Sequence, residues 1–205
     1  METKLNYDYL IISDTKNGEK YYGGNQEWYS TFIKRLAGCG PTTASTITMY
    51  ELRNNKNRDE YTKEEFLELM NELWEYITPG SHGVNKIEMY EQGYDRFVKE
   101  KGLKSSKSNV MNILAKSEQR PSNLEVFKFI NEALENNHPV AFLNLDNGKE
   151  KNLDEWHWVT LVGIKYDEEN GILEATITDE EKLHDINLGL WLETTNKDGG
   201  FIYYK

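Results

Sequence analysis

From Pro139 onward the hydrophobic period of this chain changes from helical to two, and that change constrains its fold more than any other feature. Upstream, apolar residues recur at helical spacing. Thr62-Lys63-Glu64-Glu65 has the form of a capping box, and Phe66, Leu69, Met70, Leu73 and Ile77 follow it on one helical face. Ile87, Tyr90, Tyr94, Phe97 and Val98 form a second stripe after the break at Pro79-Gly80-Ser81-His82-Gly83, with Gly102 as its stop. Ser122-Asn123-Leu124-Glu125 repeats the capping pattern ahead of Val126, Phe129, Ile130, Ala133 and Leu134. Downstream the period is two. Residues 140–145, 156–166 and 172–179 read as strands, 167–171 as a hairpin loop, and 188–194 and 201–204 as closing strands. Leu5, Tyr7, Tyr9 and Ile11 alternate as in one more strand, before a turn at Asn17-Gly18. The stretch 103–119 has no decisive period.

Helices followed by antiparallel strands predict an α+β fold. The seam falls near Asn137. A helical part over about 20–137 and a sheet part over about 138–205, with the N-terminal strand, would be two lobes of one domain spanning 1–205.

One further helix should begin at Cys39-Gly40-Pro41, because proline is tolerated in a first helical turn. It runs through Thr42, Thr43, Ala44, Thr46, Ile47 and Tyr50 towards Arg53-Asn54. Its threonines make it a poor autonomous helix, so packing must hold it. A weak helix clasped by a core is a central one.

Composition narrows the function. The 24 Lys+Arg against 35 Asp+Glu give a net charge of −11, which argues against a nucleic-acid groove or an anionic membrane surface. No apolar run approaches the roughly 18 residues of a membrane-spanning helix. The hydrophobic fraction of 38% is low, and with 5 Trp, 13 Tyr and 7 Phe the core must be aromatic-rich. A single cysteine excludes an internal disulfide and any multi-cysteine zinc site. His82, His138, His157 and His184 form no close metal spacing, so neither a metal nor another cofactor is expected. The N terminus has no apolar stretch of signal-peptide length, which points to a cytoplasmic chain, or to a secreted one if a leader has been removed.

The chemistry that remains centres on Cys39. A helix start favours an anion, hence a thiolate, and Gly38 and Gly40 let a substrate approach closely. The competing reading is a small buried hydrophobe at a helix end. A nucleophilic thiol needs a base, and the base needs an orienter. His157 interrupts an apolar strand start, and Asp179 ends the next strand. A hairpin folded at residue 168 lays the two directly opposite each other. A structural histidine with a chance acidic neighbour would look the same. Gln26 reads as a surface residue unless an oxyanion near Cys39 needs a side-chain amide.

Gly38-Cys39-Gly40-Pro41-Thr42, preceded by Gln26-x-Trp28 and followed by His157-Trp158-Val159 and Asp179, resembles the papain-like cysteine peptidase superfamily, and within it the bacteriocin-processing (double-glycine leader) branch. The resemblance covers most of the chain. It implies a bacterial, soluble enzyme with a two-lobed papain-like fold, its central helix starting at the cysteine and an antiparallel sheet in the C-terminal lobe. It also implies a peptide or protein substrate, Cys39 as nucleophile, His157 as base and acid, Asp179 as orienter, and Gln26 with the Cys39 N–H as oxyanion hole. One departure is that Glu180-Glu181-Lys182 stands where the family often has proline and an aromatic residue or glycine. A related acyltransferase or amidase, or a catalytically silent peptide-binding module, would keep the same scaffold.

Overall fold

The computed structural model describes residues 1–56, 58, 60–103, 107–115 and 120–205. In chain order the strands are β1 (Glu2–Lys4), β2 (Ile11–Ser13), β3 (Lys20–Tyr22), β4 (Tyr61–Thr62), β5 (Ser108–Ile113), β6 (Val140–Asn144), β7 (His157–Asp167), β8 (Ile172–Asp179), β9 (Lys182–Ile186) and β10 (Gly199–Tyr204). The helices are α1 (Phe32–Ala37), α2 (Cys39–Asn54), α3 (Lys63–Tyr76), α4 (Ile87–Glu100), α5 (Asn123–Glu135) and α6 (Leu188–Thr194). The fold is mixed α+β around an antiparallel sheet.

The main sheet runs β5-β10-β6-β7-β8-β9, with β1 pairing the far half of β7. Helices cover both faces. On one, α2, α3 and α4 bring Ala44, Ile47, Leu73, Tyr90, Tyr94 and Phe97 against Ala141, Leu143, Trp158, Ile202 and Tyr204. On the other, α5 and α6 bring Val126, Ile130, Leu134 and Trp191 against Phe142, Val159, Leu161 and Phe201. Aromatic rings carry much of this core: Tyr90 stacks on Trp158 at 4.6 Å, and Phe142 on Phe201 at 4.9 Å. A small sheet, β3-β2-β4, flanks α3.

Both capping boxes are formed. Thr62 and Ser122 each accept from the backbone three residues on, while Glu65 and Glu125 reach back. Each cap is worth about 1 kcal/mol. The threonine-rich α2 is the buried centre: Ser45, Thr46 and Thr48 return their hydroxyls to the carbonyls of Pro41, Thr42 and Ala44 at 2.8, 3.1 and 2.8 Å. Those bonds give these three enclosed hydroxyls an acceptor within the helix itself.

Three expectations change. Residues 188–194, expected as a strand, form α6, because Asn187 Oδ1 accepts from the Leu190 N–H at 2.8 Å and Leu188, Trp191 and Leu192 bury one helical face. The expected N-terminal strand is broken in two. Asn6 accepts from the Asp8 N–H at 3.1 Å and starts a short 3₁₀ turn over Tyr7–Leu10. Within 103–119, the sequence pattern left β5 unread. Residues 104–106 and 116–119 of that stretch lie outside the described residues. Two elements before Asn137 also join the sheet: β5 is its edge strand, and α5 packs on its face.

Candidate active site

Cys39 is the first residue of α2 and is 8% exposed. The N-cap residue is Gly38, which makes no side-chain capping bond to the first turn. Gly38 joins α1 to α2, and a Cβ there would collide with the Lys34 carbonyl and, at 2.5 Å, with the Tyr29 ring. Gly40 lies against Val84 and Trp158. The Trp158 indole N–H donates to the Val84 carbonyl at 2.5 Å, so the segment after Pro79–Gly83 is tied to the strand that carries His157.

The Gln26 segment is anchored to the same place from another direction. Gly23 has φ +75 and touches Thr178 and Thr46, a close approach that a side chain would block. The Thr178 hydroxyl donates to the Tyr22 carbonyl, the Glu181 N–H to the Gly24 carbonyl, and the Gly24 N–H to Thr46 Oγ1 at 3.3 Å. Asn25 then caps a single 3₁₀ turn over Gln26–Trp28. Gln26 Oε1 is buried and has no hydrogen-bond partner among the described residues.

His157 opens β7 and Asp179 closes β8, at the same end of the sheet. The register pairs Thr160 with Thr178 and Leu161 with Ile177, with a bulge between Leu161 and Gly163. Continued, it sets Asp179 opposite Val159, two residues from His157. The expected direct opposition is therefore replaced by a diagonal contact, because the hairpin that pairs Asp167 with Ile172 is centred between residues 169 and 170, not at 168, and the bulge restores only one residue of that offset. Diagonal neighbours are within reach of side chains of this length. The His157 Nε2 to Asp179 Oδ1 distance is 2.8 Å. Nδ1 is the ring nitrogen left for the Cys39 sulfur. Burial opposes a charge on this ring, but the Asp179 hydrogen bond and the interaction with Cys39 outweigh it. They hold the imidazole well above the ordinary histidine range.

Gln26, Cys39, His157 and Asp179 all line one cavity of about 380 Å³. No family model matches the chain, and no curated protein matches it. Among solved structures, 22 chains match. One is the crystal structure of UfSP from C. elegans, with a TM-score of 0.48 and 13% sequence identity, the match covering 100% of this chain and 34% of that one. This chain thus spans about a third of the length of that structure's chain.

The other histidines lie elsewhere. His138 Nδ1 meets Glu51 at 2.8 Å, His82 meets the neighbouring Ser81 hydroxyl at 3.0 Å, and His184, on β9, pairs with Ile177 of β8. Asp185 accepts from the Thr176 hydroxyl at 2.8 Å. Among the described residues no group of three or more His, Cys, Asp or Glu could hold a metal ion. No helix among them is long and apolar enough to cross a membrane.

The sequence reading missed Leu36, Asp154, Glu155, Trp156 and Glu180, which also line the cavity. The last four flank His157 and Asp179 directly, so adjacency was an available signal. Leu36 had a weaker one: Phe32, Ile33 and Leu36 fall on one helical face in a segment too short to announce itself.

Proposed function

We propose that this protein is a cysteine peptidase of papain-like fold, in the bacteriocin-processing branch that its Gly38-Cys39-Gly40-Pro41 and His157-Trp158-Val159 motifs resemble. The reading treats residues 1–205 as one domain with its cleft between a helical part and a sheet part. One observation carries it: Cys39, His157, Asp179 and Gln26, separated by up to 153 positions in sequence (179 − 26), line a single cavity. Side chains chosen only for packing have no reason to meet there.

In this reading the Cys39 sulfur acts as nucleophile beside a charged His157, and the raised imidazole pKa supports the charge on the ring. The sulfur attacks a peptide carbonyl carbon, forming the S–C bond and moving the π electrons onto oxygen. The Gln26 amide N–H and the Cys39 backbone N–H hold that oxyanion, each donor being worth roughly 2.7–4 kcal/mol in comparable sites. The presence of Gln26 in the wall of the cavity that Cys39 also lines supports this. Collapse of the oxyanion breaks the C–N bond, and the imidazolium Nδ1 gives its proton to the leaving amine. Neutral His157 then takes a proton from water, whose oxygen attacks the thioester and releases the acid and the thiolate. Asp179 on Nε2 fixes the tautomer throughout.

A digest of a peptide library with the wild-type protein and with Cys39→Ala tests the reading. Cleavage by the wild type, reduced about 10⁴-fold or more in the variant with unchanged circular dichroism, is expected. Cleavage at the wild-type rate by Cys39→Ala would overturn it.

A further inference from the structure

The two walls of the Cys39 cavity differ in chemistry. On the cysteine side stands α1, where Leu36, which lines the cavity, is 71% exposed, and Phe32 and Ile33 on the same helical face are 69% and 70% exposed. The helix itself is well held: Lys34 Nζ donates to Asn71 at 2.8 Å, and Arg35 donates to the Tyr29 and Ser30 carbonyls at 3.0 and 3.2 Å. Its apolar face is therefore presented to solvent by an ordered element. An exposed apolar patch continuous with a cavity marks a binding surface.

On the histidine side the wall is acidic. Asp154, Glu155 and Trp156 lead into His157, and Glu180 follows Asp179; all four line the cavity and are exposed. Lys197 meets Glu155 at 3.7 Å and lies 4.8 Å from the Trp156 ring centroid. Among the described residues, Asp154 and Glu180 make no ion pair, and no lysine or arginine lines the cavity. An opening with uncompensated carboxylates on one side attracts a cation, as does a chain of net charge −11.

Building on the peptidase reading, we infer that the substrate is an extended peptide in which an apolar side chain and a cationic side chain flank the bond presented to Cys39. The apolar group rests on Leu36 and Ile33. The cation faces Asp154 and Glu180. These residues set specificity and leave the chemistry to Cys39 and His157.

Binding separates this inference from catalysis. Dye-labelled, N-acetylated peptides with leucine or serine at one position and arginine or glutamate at the other are titrated against Cys39→Ala protein by fluorescence anisotropy. The leucine–arginine peptide should bind tightest. Arginine to glutamate should weaken binding about tenfold at low salt, and the gap should narrow at high salt, because exposed charges are screened. Leu36→Ser with Ile33→Ser should erase the leucine preference alone, and Asp154→Asn with Glu180→Gln the arginine preference alone. Both pairs replace exposed side chains, and circular dichroism checks that the fold survives. Absence of binding, equal binding of all peptides, or preferences that persist in the variants would overturn the inference. A charge preference seen only in peptides with a free N terminus would also overturn it, by assigning the carboxylates to an α-amine. Selective binding without wild-type hydrolysis would instead remove the peptidase reading and leave the recognition surface standing.

Discussion

One carboxylate oxygen, Asp179 Oδ1, accepts from two directions at once: His157 Nε2 at 2.8 Å and the Glu180 backbone N–H at 2.9 Å. The second bond orients the carboxylate before the imidazole meets it. Asp179 can therefore aim the ring although it stands diagonally to His157 in the sheet.

The raised His157 pKa makes a signed prediction. A histidine raised on folding stabilises the native state fully below its ordinary value of about 6.5, and that contribution is lost as pH rises through the folded value. The ring should thus remain charged well above pH 6.5 in an NMR titration, and stability should decline on the alkaline side in wild type but not in His157→Ala. Asp179→Asn keeps an oxygen acceptor and should retain part of the activity; Asp179→Ala should lose more and move the alkaline limb of kcat/KM to lower pH. Equal loss in both variants would remove Asp179 as the orienter.

Gln26→Ala should lower kcat by on the order of 10²-fold and change KM much less, the pattern of a contact made mainly in the transition state. Steady-state kinetics on one good peptide reads the split. A loss confined to KM would place Gln26 in substrate binding.

The turn beside Asp179 stores strain. Glu180 and Glu181 have φ of 43 and 63, between strands paired at Asp179 and Lys182. A two-residue hairpin with both central residues at positive φ favours Asn-Gly. Replacing Glu180 by Asn together with Glu181 by Gly should stabilise the protein by about 1–2 kcal/mol in urea unfolding. No gain would mean that the glutamate side chains themselves hold the turn.

Gly38→Ala should do the reverse. The added Cβ meets the Lys34 carbonyl and the Tyr29 ring, and Tyr29 is enclosed with its hydroxyl donating to the Met70 carbonyl at 2.9 Å. A destabilisation of about 1–3 kcal/mol is expected. Reaction of Cys39 with iodoacetamide should slow beyond what the lost stability explains, since the α1–α2 junction that aims the sulfur must shift.

The parts legible in sequence are those whose causes lie within a few residues. Thr62 with Glu65 and Ser122 with Glu125 announce α3 and α5 because the capping bonds close within one turn. The period-two runs announce β7 and β8 because alternation follows from the pleat itself. The order Gln26, Cys39, His157, Asp179 was legible too, as a pattern of residue types. Tertiary structure decided the rest. Residues 188–194 alternate well enough for a strand, yet the Asn187 cap and the edge-on packing of Trp191 against the stacked Phe142 and Phe201 rings select a helix. The meeting of His157 with Asp179 depended on the length of a loop and on a bulge, which displaced the register by two residues from the simplest fold-back. The burial of Gln26 Oε1 needed Gly23 pressed on Thr178 and Gly24 bonded to Thr46, contacts 155 and 22 positions away in sequence (178 − 23; 46 − 24). Local hydrogen bonds are encoded by neighbours. Long-range contacts exist only once the enclosed volume has been filled, so the walls around Cys39 became readable only in three dimensions.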